Sequence, residues 1–461
     1  MFVLRKSIFI FTSLVLIYFI LPTGNAQEVK KLSLEEAIEH ALKNNHRIKE
    51  VIEKELQAIE DKESIKKDLF FKLSTSYSYT RLRDEPYSLF PMSTSLNLLI
   101  DKLNLTPGPK IPHVSDRFLL SDKERVVWGF TLTQPLFTGF ALISKKKIAE
   151  LGVDVAKYEK EVVNLELARQ VRLAYLNVLL AKRAVEIAED EVKQLEAHAR
   201  DAEKFYEQGV VAHNDLLKSK VALASASQKK EKAQADLRIA IAGLNLLLAR
   251  DINENTIVED FEPEIREPQE LSSLLDTALR QRPEIMLLKT SLEQAGLAIK
   301  IAKSTNYPQI FLIGQYERVG HDLSASTNDY GNDHNSSITL MAKWNLFEWG
   351  KTQNEIKKAL HAKSALEARL KGLTDSILLE VKQAHENLKV SQVNIETARA
   401  ARMQARENFR ITDLQYKEGV TTSTEVLDAR AYLTQAESNY FRALYGYKMA
   451  EADLIKAVGQ K

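Results

Sequence analysis

The 461 residues carry 64 Lys and Arg against 63 Asp and Glu, a formal charge of +1, so no basic stripe points to nucleic acid. At 28% charged and 44% hydrophobic, the chain is neither disordered nor a polytopic helical membrane protein. The absence of cysteine excludes disulfides, Cys-ligated zinc and thiol catalysis, and only 16 glycines and 11 prolines predict long helices with few turns.

The first 26 residues have the form of an export signal: Arg5 and Lys6, an apolar run over Ser7–Leu21, and the small-residue site Gly24-Asn25-Ala26. The same run would also serve as a retained anchor. No later segment reaches the ~18 apolar residues of a membrane helix. From residue 27 onward the chain is written twice. Leu32-Ser33-Leu34-Glu35-Glu36-Ala37 answers Leu271-Ser272-Ser273-Leu274-Leu275-Asp276, and Ser76-Tyr77 answers Gln315-Tyr316, at an offset of 239. Further on the offset is 210, where Leu136-Phe137 answers Leu346-Phe347. The copies span 27–250 and 271–461, joined by an acidic linker over 251–270 with Pro263 and Pro268. About 29 extra residues in the first copy, with Pro86, Pro91, Pro107, Pro109 and Pro112, predict a long irregular loop.

Each copy predicts helix, strand, loop, strand, very long helix, tight turn, long helix. Strands are expected at about 69–80, 126–134, 308–318 and 336–346, and turns near 207–215 and 417–425. Taken from Ala141 to Tyr206, the first long helix would reach roughly 100 Å. Its heptad stripe alternates large and small residues through Val171, Ala174, Val178, Ala181, Val185 and Ala188, a buried bundle seam, and Arg402 interrupts the matching stripe. Phe71, Leu73, Thr75, Tyr77 and Tyr79 alternate with polar residues, as do Trp128, Phe130 and Leu132, and Ile338, Leu340, Ala342 and Trp344. In Gln309–Glu317, Phe311 and Ile313 break the pattern. A soluble sheet on helices alternates too, but four strands with aromatic ends favour a transmembrane barrel. Four strands cannot close one, so several chains would have to share it; the physics allows two, three or four.

The chain resembles the TolC family of outer-membrane efflux and secretion channels. The likeness rests on the duplicated unit, the strand exits Gln134-Pro135-Leu136-Phe137-Thr138-Gly139 and Trp344-Asn345-Leu346-Phe347-Glu348-Trp349-Gly350, and the turns Tyr206–Leu217 and Tyr416–Leu427. Each turn has Tyr-x-x-Gly-Val with an acidic residue six positions after the glycine. The resemblance implies an α+β membrane protein: a homotrimer with a shared 12-stranded β-barrel in outer-membrane lipid and a coiled-coil tunnel through the periplasm. It implies a passive exit duct without cofactor, docked to a periplasmic adaptor that is joined to an inner-membrane pump. Trp128, Phe137, Trp344, Phe347 and Trp349 would lie at the membrane interfaces, and Gly209, Val210, Gly419 and Val420 at the docking tips.

Gly209 and Gly419 each end a helix, where left-handed backbone is favoured. Glu425 and Asp428 lie one turn apart at the start of the returning helix, with Asp215 at the matching place in the first copy. Acids there complement the helix dipole; facing a pore, they would form two rings of three carboxylates that favour cations or hold a multivalent one. The resemblance implies the second role. It also implies a latch from Tyr416 and a nearby arginine to Asp215. Thr421 stands where that arginine would be, leaving a Tyr416–Asp215 hydrogen bond as the expected remainder.

No phosphate loop, nucleophile elbow or HExxH motif suggests an enzyme. His321, Asp322, Asp329, Asp333 and His334 share one loop and could hold a metal, or simply be solvated. A soluble periplasmic coiled-coil adaptor or rod would explain the export signal and the heptads but not the strands.

Overall fold

The computed structural model describes residues 31–89, 92–115, 117–261, 264–265 and 269–461, so the export signal lies outside the described residues. The first copy contains α1 (Leu34–Asn44), α2 (His46–Lys67), β1 (Lys72–Arg81), β2 (Tyr87–Leu89), α3 (Met92–Leu103), β3 (Arg117–Leu119), β4 (Glu124–Thr138), α4 (Ala141–Glu207) and α5 (His213–Leu248). The second contains α6 (Leu271–Gln281), α7 (Pro283–Ser304), β5 (Gln309–Gly320), β6 (His334–Lys343), α8 (Lys351–Lys417) and α9 (Ser423–Ala457).

Strand pairing fixes the repeat and corrects the sequence alignment. Lys72 faces Thr133 and Gln309 faces Lys343, so the copies are 237 residues apart before the insert and 210 after it. The buried residues agree: Ala37, Ala41, Ile48 and Val51 in the first copy answer Leu274, Ala278, Ile285 and Leu288 in the second. The expected offset of 239 paired two tyrosines that are not equivalent. The insert is therefore 27 residues, and it is not an irregular loop. It folds as α3 connecting the strands of a two-stranded antiparallel β2–β3 sheet, because its prolines flank the helical stretch instead of interrupting it. Asn97 of α3 and Asn104 just after it pin the returning chain, each amide donating to the carbonyl and accepting from the N–H of one residue, Val114 and Ile111 respectively.

The four long strands form one antiparallel sheet in the order β1-β4-β5-β6. Cross-strand partners share a face, so Leu73–Leu132, Tyr77–Trp128, Phe130–Tyr316 and Leu312–Leu340 build one apolar side. The other side carries Ser74, Ser76, Ser78, Thr131, Gln315, Glu317 and Thr339; Phe311 and Ile313 do fall on it, at its helical end. Strand β4 runs on through Pro135 to Thr138 with a register shift between Pro135 and Phe137, where the missing N–H is accommodated. β1 and β6 have free edges and are exposed throughout.

Helices α4 and α8 each have 67 residues, or about 100 Å. Two related cores sit between the helices. One joins α1, α4 and α5 through Leu167, Val171, Leu179, Leu244 and Leu248; the other joins α6, α8 and α9 through Leu274, Ile377, Val381, Leu388 and Leu454. Both predicted seams mostly turn inward, though Tyr206 is exposed. Arg402 fits because its guanidinium lies over the rings of Tyr440 (4.7 Å) and Phe441 (5.4 Å). Among the described residues of the linker, Val258 pairs with Leu32, and Asp260 takes an ion pair from Arg183 at 2.6 Å. The first half of the linker is thus bound to the body of the chain.

Candidate functional site at the hairpin tips

Both helical hairpins turn through the same motif. The Gly209 N–H donates to Tyr206 O (2.9 Å) and the Val210 N–H to Phe205 O (2.8 Å); Gly419 and Val420 repeat this on Tyr416 (3.0 Å) and Gln415 (2.8 Å). This double bond pattern closes a helix only if the residue after the cap is left-handed, and Gly209 and Gly419 have φ of 70° and 71°. The motif leaves Val210 and Val420 facing solvent at 60% and 73% exposure, apolar caps at the end of each long arm. The tips differ at the returning helix. Thr422 caps α9 by accepting from the Glu425 N–H (3.4 Å), while Ala212 offers α5 no side-chain cap.

The expected Tyr416–Asp215 hydrogen bond is not present. Tyr416 is buried, packed between the rings of His198 (4.7 Å) and Phe205 (5.6 Å), and its hydroxyl makes no hydrogen bond of ordinary geometry. Burial, and then the charge of Asp215, push its phenol pKa up. The polar link between the hairpins lies beside it. His198 Nε2 is 2.8 Å from Ser423 Oγ, which is 3.1 Å from Ser219 Oγ, and the Ser219 hydroxyl donates to Asp215 O at 2.9 Å. Proton accounting orients the chain: Ser219 spends its hydrogen on Asp215, so Ser423 donates to Ser219 and His198 donates to Ser423. One residue from each of α4, α5 and α9 therefore meets in a buried polar knot, which sequence reasoning missed. Burial holds the His198 pKa below the ordinary imidazole value; Asp413 and Asp201 oppose this, and Lys417 adds to it.

Glu425 and Asp428 are both exposed, while Ser423, Val426, Ala429 and Arg430 on the same helix are buried. The two carboxylates thus share the outward face of the first turns of α9. Asp215 is half-buried, with Lys218 Nζ 3.9 Å away, and Thr421 is half-buried beside the turn.

The outer membrane efflux protein family matches residues 37–250 and 274–460. This chain belongs to that family. The chain is 22% identical to the outer membrane protein TolC of Vibrio cholerae over 376 residues, covering 80% of this chain and 84% of the relative. It is also 22% identical to the alkaline protease secretion protein AprF of Pseudomonas aeruginosa, covering 72% of this chain and 69% of the relative. In fold it matches the Campylobacter jejuni CmeC outer membrane channel with a TM-score of 0.75 at 18% identity, covering 92% of this chain and 85% of that one. The family comprises outer-membrane channel proteins rather than enzymes.

At the far end of the chain's sheet, the five loop residues grouped by sequence divide. Asp322 accepts from the Ser326 and Thr327 N–H groups (2.8 and 2.9 Å) and organises the β5–β6 loop, while His334 pairs with Asp333 at 2.7 Å. His321 and Asp329 instead approach Asp122 of the insert, their ligand atoms all within 4.8 Å of one another. This group lies at the surface, where carboxylates commonly gather without an ion. Of the aromatic residues, Trp128 sits towards the outer end of the sheet. Phe137, Trp344, Phe347 and Trp349 sit where the strands give way to the long helices, with Trp349 at 90% exposure. Among the described residues no helix is long and apolar enough to cross a membrane.

Proposed function

We propose that three copies of this chain form an outer-membrane exit duct: their sheets close into one 12-stranded barrel, and their long helices continue as a periplasmic tunnel. One observation carries this reading: a sheet apolar on one face and polar on the other, with both edge strands unpaired. Such a sheet in lipid needs its edges closed and its polar face turned to water, and a shared barrel satisfies both demands. From Trp128 to Phe137 the strand covers ~30 Å, which at barrel tilt is close to the ~25 Å apolar band between aromatic girdles. The helices agree. α4 buries nineteen residues within the chain and α8 only eight, leaving Leu379, Val390, Val393, Met403, Ile411 and Leu414 of α8 for neighbouring copies.

The duct is passive. Energy would come from an inner-membrane pump through a periplasmic adaptor that grips the Gly209-Val210 and Gly419-Val420 tips, in a tripartite efflux or type I secretion system. The exposed carboxylates of Glu425 and Asp428 would ring the periplasmic mouth as its constriction, selecting for cations. A periplasmic rod accounts less well for this chain, because it would leave the apolar sheet face in water.

The test is single-channel recording of the mature protein in planar bilayers, wild type against Glu425→Ala/Asp428→Ala. A small cation-selective conductance that grows and loses selectivity in the variant supports duct and gate. Equal currents remove the gate from these residues. Protein that extracts in buffer, shows no heat-sensitive trimer band and never inserts refutes the duct.

A further inference from the structure

The first turns of α9 carry Glu425 and Asp428 outward, and the same turns carry Arg430 inward at 1% exposure. Its Nη1 donates to Gln194 Oε1 (2.8 Å) and its Nη2 lies 3.3 Å from Asp190 Oδ2, both on α4. Its guanidinium also stands 5.6 Å from the ring of Phe409 on α8. One side chain thus joins the long helix of the first copy to both hairpin helices of the second. Its Nε is buried without a partner.

Packing alone does not call for arginine here. A buried charge can often be replaced by an apolar side chain of similar volume without loss of stability. Around it α9 buries Val426, Ala429, Leu433 and Ala436, and α4 buries Ala188, Leu195, Ala199 and Ala202. Such small, smooth faces favour close approach but discriminate poorly between positions along the helix. A guanidinium fork fixed on two acceptors one turn apart does discriminate, because a slide of either helix breaks it.

We propose that Arg430, held by Asp190 and Gln194, is the positioning residue that sets the register of α9 on α4 and so fixes where Glu425 and Asp428 stand. The inference rests on the reading of those two carboxylates as the constriction. The brace is internal to each protomer and independent of the turn where Thr421 replaces an arginine. The His198–Ser423–Ser219 knot supports the same helix start nearer the tip.

The experiment uses the mature trimer and variants Arg430→Met, Arg430→Lys and Asp190→Ala/Gln194→Ala, with Glu425→Ala/Asp428→Ala as reference. Since the chain lacks cysteine, a single Thr424→Cys in each background takes a nitroxide for pulsed EPR distances between protomers. Arg430→Met should still give the heat-sensitive trimer, yet raise open-state current or open probability about tenfold and broaden the label distances. Arg430→Lys should fall between. If Arg430→Met fails to assemble, Asp190→Ala/Gln194→Ala, which keeps the arginine, reads the same brace. Wild-type current and label distances in the brace variants, with the reference variant still enlarging the current, overturn the brace and leave the gate standing. Labels that move while neither variant changes the current keep the brace and remove the gate.

Discussion

His198 and Ser423 meet at 2.8 Å across 225 residues of chain, one on each copy of the repeat. The contact is buried, and it links the two hairpins without an ion pair. His198 is held neutral there, its pKa lowered by burial. A lowered folded-state pKa means that the unfolded chain binds the proton more readily. The stabilisation is therefore full above the ordinary imidazole value of 6.5 and is lost as pH falls below it. Protection of the amides around residues 198–219 and 416–430, corrected for the intrinsic pH dependence of exchange, should fall between pH 7.5 and 5. His198→Gln, which can still donate to Ser423, should flatten that dependence; an unchanged profile would assign it elsewhere.

Gly209 and Gly419 have open space where a Cβ would go, so any penalty for a side chain is conformational. Gly419→Ala should cost about 1 kcal/mol at positive φ, and Gly419→Asn less. Thermal unfolding of the tip, followed by exchange, gives the comparison. Val420→Asp should leave folding and conductance intact, since Val420 is 73% exposed, while weakening capture of the adaptor in a pull-down with its own partner system.

The far end of α9 is tied down by Arg282. This buried side chain donates to Lys456 O (3.0 Å) and Ala457 O (3.3 Å) and pairs with Glu380 at 2.8 Å. Arg282→Ala should cost about 3 kcal/mol, because it removes a buried guanidinium that satisfies the Ala457 carbonyl, shares the Lys456 carbonyl with the Gly459 N–H, and leaves Glu380 with Lys456 alone. Burial alone would raise the Glu380 pKa, but Lys456 and Arg282 outweigh it and lower it. The wild-type contribution is therefore present above the ordinary carboxylate value of 4.5 and lost as pH falls below it. Denaturant unfolding of Glu380→Gln should show a shallower acid limb; a limb as steep as wild type would count against this pairing.

Long-range regularity was legible in the sequence and single contacts were not. The helix expected over Ala141–Tyr206 ends at Glu207, because a heptad free of proline and glycine has few other stopping points. Three of the four strands followed from alternation, which Phe311 and Ile313 break in β5, and β4 runs past Pro135 by using a bulge. The repeat offset missed by two residues, since matching Tyr77 to Tyr316 weighted side-chain identity over pairing; the ladder sets Tyr77 against Trp128 and aligns it with Gly314. At the tip, the turn glycines and the acids were visible as motifs. Arg430 and His198 were not, because a lone polar residue on a seam does not reveal which distant side chain satisfies it. Tyr416 and Asp215 were named as a bonded pair, yet the bond is replaced by the serine knot.

Thr421 offers the sharpest test of how this tip differs from the pattern its family resemblance implies. Asp215 is half-buried, and among the described residues its one cationic neighbour within 4.0 Å is Lys218, at 3.9 Å. A guanidinium introduced by Thr421→Arg would have a carboxylate to bond near the turn. An exposed or half-exposed pair contributes about 0.5–1 kcal/mol, so three copies acting together in the proposed trimer would shift the balance towards the closed mouth by roughly 1.5–3 kcal/mol. Thr421→Arg should therefore lower single-channel current or open probability by about one to two orders of magnitude. Asp215→Asn in the same chain should restore it. If the current drops and Asp215→Asn does not restore it, the arginine is obstructing the pore by size or charge, and Asp215 is no part of the latch.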